Sequence, residues 1–210
     1  SALGKELQMY LLDHSNLPGK RGNLELAAAF RDYIEEIYAG NESPCLQYCL
    51  CLIAENPPEK SLIGNEEFLP FCAIVALGRI GRIDASKRNA VIELIKENAQ
   101  DERWKIREAV AMAIQDLLAV DPAQLIHQLV KWTNENNPLL HRAIVAGLAE
   151  PPLMKNPTIA RAALQMHKTI INKIEMEKNV RDIHFQVLVK GLCYTLSVII
   201  TGIEEEGFSY

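Results

Sequence analysis

Apolar residues recur at three-to-four spacing along most of the chain, the pattern of helices that bury one face. Between positions 101 and 120, Ile106, Val110, Ile114, Leu117 and Leu118 fall on one stripe. Asp121-Pro122 follows, a pair suited to an N-cap and a first helical turn, and the next stripe is Leu125, Ile126, Leu129 and Val130. Asn136, Asn137 and Pro138 repeat the start signal for a helix with Leu140, Ile144 and Leu148. The chain is expected to turn at Glu150-Pro151-Pro152. Pro157 then opens a helix bearing Ala160, Ala163, Leu164, Ile170, Ile171 and Ile174, and a last one carries Phe185, Leu188, Leu192, Leu196 and Ile199. Near the N-terminus, 24–38 is the clearest helical stretch. No segment reads as a strand.

The stripes are copies of one another. Ala73-Ile74-Val75-Ala76 recurs as Ala143-Ile144-Val145-Ala146, and Glu108-Ala109-Val110-Ala111 stands halfway between them. The helices that come before obey the same 35-residue step: Val91, Ile92, Leu94, Ile95 and Lys96 map onto Ile126, His127, Leu129, Val130 and Lys131. Ala90, Leu125 and Ala160, and likewise Leu94, Leu129 and Leu164, carry the register into a third copy. A pair of helices repeated at such a period cannot bury its apolar face alone, so stacking of neighbours into one continuous core is expected. Ala76, Ala111 and Ala146, small residues at one phase, are expected where adjacent helices come close. Gly78-Arg79-Ile80-Gly81 reads as a helix end.

The unit resembles the HEAT repeat, in which an acidic turn residue precedes an aliphatic-Arg pair at the start of the second helix. Asp101, Ile106 and Arg107 match that arrangement; His141-Arg142 and Val180-Arg181-Asp182 are further copies, the last displaced by an insertion of about four residues. The resemblance implies an all-α fold, a right-handed α-α superhelix of antiparallel helix pairs. It also implies a structural ladder of Asp101, Arg107, Arg142 and Arg181, held by charge-assisted hydrogen bonds between neighbouring turns. Repeats are expected over 63–203, preceded by an irregular helical capping region at 1–62 and followed by a tail at 204–210, all in one continuous domain. Pro57-Pro58-Glu59-Lys60 reads as a loop between units.

Composition narrows the choice of partner. A net charge of −5 and 6% aromatic residues disfavour a surface built to neutralise phosphates or stack bases. The expected partner is another protein. Cys45, Cys49, Cys51, Cys72 and Cys193 are odd in number and lie in apolar stretches, which disfavours a disulfide framework and fits a cytoplasmic setting. The most apolar stretch, 187–203, is interrupted by Lys190, Gly191, Ser197 and Thr201, and is read as a buried core helix rather than a membrane span.

Catalytic and metal chemistry find no motif. Cys45 and Cys49 share a helical face from which Cys51 points away, and His14, His127, His141, His167 and His184 lack metal-type spacing, so no metal or other cofactor is expected. There is no Gly-x-Ser-x-Gly and no phosphate-binding glycine run. A non-catalytic interaction scaffold is therefore expected, with Lys105, Glu108, Gln115, His141 and Lys190 as partner contacts if the second helices line the inner surface. The alternative is a DNA-binding or alkylated-base repair protein similar to the HEAT-like alkylpurine DNA glycosylases. In that reading Trp104, Trp132 and Arg142 face the DNA. In the scaffold reading the two tryptophans fill gaps between helices.

Overall fold

The computed structural model describes residues 2–38, 42–56, 64–176 and 181–209, and is all-helical over them. Twelve helices follow in order: α1 (Ala2–Asp13), α2 (Leu24–Tyr38), α3 (Glu42–Ala54), α4 (Phe68–Ile83), α5 (Arg88–Asn98), α6 (Trp104–Leu118), α7 (Pro122–Thr133), α8 (Pro138–Leu148), α9 (Pro151–Met154), α10 (Pro157–Glu175), α11 (Ile183–Ile200) and α12 (Glu204–Phe208). The start signals act as their chemistry requires. Asp121 accepts the Gln124 N–H at 3.0 Å, Asn137 accepts those of Leu139 and Leu140, and Asn156 accepts that of Thr158, each with proline in the first turn. These side chains satisfy donors that the first helical turn leaves open. The loop assigned to Pro57-Pro58-Glu59-Lys60, and Val180 of the displaced copy, lie outside the described residues.

Two compact units divide the chain, Ser1–Ala113 and Ile114–Tyr210, and the division falls inside α6. In the first, α1, α2, α3 and α5 all pack on α4. Helix α4 is sheathed on nearly every side, with Phe68 to Gly78 buried without a break. It does not end at Gly78-Arg79-Ile80-Gly81, as the sequence suggested, but runs through to Ile83. The glycines serve packing. A Cβ on Gly78 would lie 2.6 Å from the Ala113 Cα, so only hydrogen fits between the two backbones. Gly78 and Ala113 are one 35-residue step apart, so successive helices of the repeat meet at the same phase. Arg79 pairs with Glu35, and the Tyr38 hydroxyl donates to Asp84 Oδ2 at 2.7 Å; both contacts tie α2 to the α4 side of the unit.

In the second unit α7 packs on α8, and α10 and α11 pack on α8 and on each other. Gly147 of α8 faces the side chain of Ile114 rather than a backbone: a Cβ there would lie 2.5 Å from Ile114 Cγ2. The insertion is larger than the sequence suggested. Helices α5, α7 and α10 open at 88, 122 and 157 and keep the step to within one residue, but α11 opens 45 residues after α8; seven of the ten extra residues lengthen α10, which has 19 where α7 has 12. Residues assigned to the tail form α12 instead, and the turn at Pro151-Pro152 is itself a one-turn helix, α9. Helix α11 has a mean hydropathy of 1.6 over 18 residues, long and apolar enough by length and composition to cross a membrane. Only one of its faces is buried, through Phe185, Leu188, Gly191, Thr195 and Ile199, while Ile183, Val189 and Tyr194 are exposed.

Candidate functional site

The densest polar construction among the described residues sits at the start of α6. Asp101 Oδ1 accepts the Arg103 backbone N–H at 2.7 Å and its Nε–H at 2.9 Å, and Oδ2 accepts from Nη2 at 2.7 Å. The fork of the guanidinium matches the carboxylate, the geometry that makes such pairs strong. Arg103 Nη1 reaches the Asn56 carbonyl at 3.0 Å, joining this turn to the end of α3. Arg107 Nη1 donates to the carbonyls of Asp101 and Glu102 at 2.6 and 2.8 Å. The turn is clamped from both sides. Directly after it, Lys105 Nζ pairs with Glu67 Oε1 at 2.5 Å and stands 5.2 Å from the centre of the Trp104 ring, within cation–π range.

The ladder predicted from Asp101, Arg107, Arg142 and Arg181 is thus replaced in part. Asp101 and Arg107 meet through a backbone carbonyl, and the carboxylate belongs to Arg103, which the repeat comparison passed over. The local signal for it was an aspartate two residues before an arginine at a turn, where a carboxylate can accept a backbone N–H and a guanidinium together. Arg142 is half-buried on α8, its stem against Gly191. Arg181 is exposed in the turn before α11, and its neighbour Asp182 caps that helix by accepting the Phe185 N–H.

The predicted partner contacts separate by burial. Lys190 is exposed; Lys105, Glu108 and Gln115 are half-buried, and the Lys105 charge is held by Glu67. His141 is 3% exposed and so offers no side chain to a partner. Burial first, and the Lys173 ammonium second, push its pKa down. The two tryptophans also part. Trp132 is 2% exposed and fills the core of the second unit, away from any DNA-facing surface, whereas Trp104 is 49% exposed.

Among the described residues no other cluster competes as a centre of chemistry. Cys45, Cys49 and Cys72 are buried and Cys193 is exposed, all as free thiols. Burial pushes the Cys49 thiol up to about 12 and raises Cys45 and Cys72 as well, which holds all three protonated and poorly nucleophilic. Among the described residues no group of three or more His, Cys, Asp or Glu is placed to hold a metal ion. His167 is buried between α10 and α11, with Nδ1 on the Ala163 carbonyl at 3.0 Å and Nε2 on Thr195 Oγ1 at 2.8 Å. Since a carbonyl only accepts, Nδ1 carries the proton and Nε2 accepts from the Thr195 hydroxyl. Its surroundings are structural.

Fold and site together define an all-α protein that presents an exposed indole on a braced turn. Comparison with protein-family models, with curated proteins and with solved structures finds no significant match.

Proposed function

We propose that the chain is a non-catalytic protein-interaction scaffold of the HEAT-repeat type, a right-handed superhelix of helix pairs, and that Trp104 anchors its partner. Trp104 carries this reading. Tryptophan is costly to leave in water and is enriched among the residues that dominate protein interfaces. Here it stands beside a turn fixed by Asp101, Arg103 and Arg107, so little ordering remains to be done when a partner docks. The 35-residue register and the contact of Gly78 with Ala113 at one repeat phase support the HEAT assignment.

Affinity capture from the native cell with the whole chain, side by side with Trp104→Ala, tests it. The wild type is expected to retain a reproducible protein, and Trp104→Ala to bind it about thirtyfold more weakly, the effect of a truncation of about 2 kcal/mol. Equal capture by both removes Trp104 from the reading, and capture of nothing reproducible removes the scaffold. The exposed indole also favours a second reading, in which a DNA base stacks on it. That reading requires salt-dependent duplex binding and release of methylated purine, and it ends if no binding occurs at low salt.

A further inference from the structure

Helices α1, α2 and α3 of the first unit line a half-open cavity of about 370 Å³, bounded by Leu7, Tyr33, Ile34, Ile37, Cys45 and Tyr48 among others. An apolar cavity of about 150 Å³ takes up benzene, and small-molecule sites begin near 300 Å³, so this one has room for roughly two fused rings with a substituent. No charged side chain lines it among the described residues. The Tyr48 hydroxyl donates to the Gly4 carbonyl at 3.0 Å and also bonds the Gln8 side chain, which leaves the tyrosine ring as what it offers to an occupant. Cys45 adds a nearly buried thiol, a weak donor at most. Tyr33 and Ile37, one turn apart on α2, are partly exposed at the rim and give a way in.

From this we infer that the cavity is a binding site for a neutral, mostly apolar aromatic molecule of that size. A carboxylate or ammonium drawn into it would give up part of its hydration and meet no opposite charge among the described residues, so charged relatives of the same ligand are disfavoured. The two tyrosine rings favour an aromatic body over a flexible acyl chain, because rings stack without freezing many bonds. This site is independent of Trp104 and of the scaffold reading.

The probe is N-phenyl-1-naphthylamine, a neutral fluorophore, titrated into the whole chain. Saturable one-to-one uptake is expected, with its sulfonated analogue binding at least about tenfold more weakly. Ile37→Trp, which fills the rim, is expected to abolish uptake, while Ile37→Ala at the same position retains it; circular dichroism checks that both fold. Should Ile37→Trp unfold the chain, Leu7→Trp takes its place. A second readout is thermal unfolding: the neutral probe is expected to raise the midpoint of the wild type and not that of the folded filling variant. Absence of saturable uptake overturns the proposal, as does equal binding of the sulfonate, uptake that survives in the folded filling variant, or a midpoint that ignores the probe.

Discussion

Removal of the Arg103 guanidinium strands the Asp101 carboxylate, since both side chains are 7% exposed. A buried charge that loses its partner costs about 3–5 kcal/mol, well above a surface pair at about 0–1 kcal/mol, so Arg103→Ala is expected to lower the urea midpoint sharply. Asp101→Ala combined with Arg103→Ala is expected to cost less than the two single changes added together. His167 sets a different dependence. Burial takes its pKa to about 4 from 6.5, so between those values the unfolded chain binds more protons than the folded one. Stability from this group is complete above about pH 6.5 and is lost as pH falls towards 4, at up to about 1.4 kcal/mol per pH unit. Asp84, held at about 2 foremost by its hydrogen bond from Ser86 and then by that from Tyr38, contributes its loss only below 3.8, so the two are separable. Urea titrations across pH 4–7 are expected to show a slope that His167→Gln flattens. At this scale little was legible beforehand: spacing shows which residues share a helical face, but not that Arg103 rather than Arg107 takes the Asp101 carboxylate, a choice made by the turn.

Between elements, the close contacts are decided by single hydrogen atoms. Gly78→Ala gains up to about 1 kcal/mol of helix propensity, but its Cβ meets the Ala113 backbone, which cannot step aside. A net loss of about 1–3 kcal/mol is expected. Gly191→Ala has the opposite sign. Its Cβ would rest 3.5 Å from Arg142 Cγ and 3.6 Å from Val145 Cγ2, ordinary contact distances, so a gain of about 0.5–1 kcal/mol is expected. Thermal or urea unfolding of the two variants decides both. The helices were readable from their stripes and caps, and α2 matches its predicted bounds of 24–38. Ala76, Ala111 and Ala146 are buried, and close approaches also fall at Gly78 and Gly147, where a Cβ would lie 2.6 Å from Ala113 Cα and 2.5 Å from Ile114 Cγ2. Trp104 is exposed where its repeat equivalents Leu69 and Leu139 are buried, a difference that the period alone does not report.

Across the whole molecule, each of the two units has its own close contact at a glycine: Ala113 of α6 lies against Gly78 in the first, and Ile114 lies against Gly147 in the second. A proline inside α6 removes a hydrogen bond and clashes with the preceding turn, at about 3 kcal/mol or more. Met112→Pro is therefore expected to reduce amide-exchange protection in α4, whose Gly78 lies against Ala113 in the same unit. Unchanged protection in α4 counts against that contact. The repeat made α4 to α8 predictable at this scale, whereas the lengthened α10 and the exposed side of α11 follow from packing that a period cannot report. Helix α11 also carries Cys193, the exposed member of five free thiols, beside exposed Tyr194. With Cys45, Cys49 and Cys72 sheltered and Cys51 half-covered, a maleimide dye at neutral pH will react first at that one position. The chain thus accepts a spectroscopic label on its second unit without an engineered cysteine, at a position where the dye reports on the exposed side of α11.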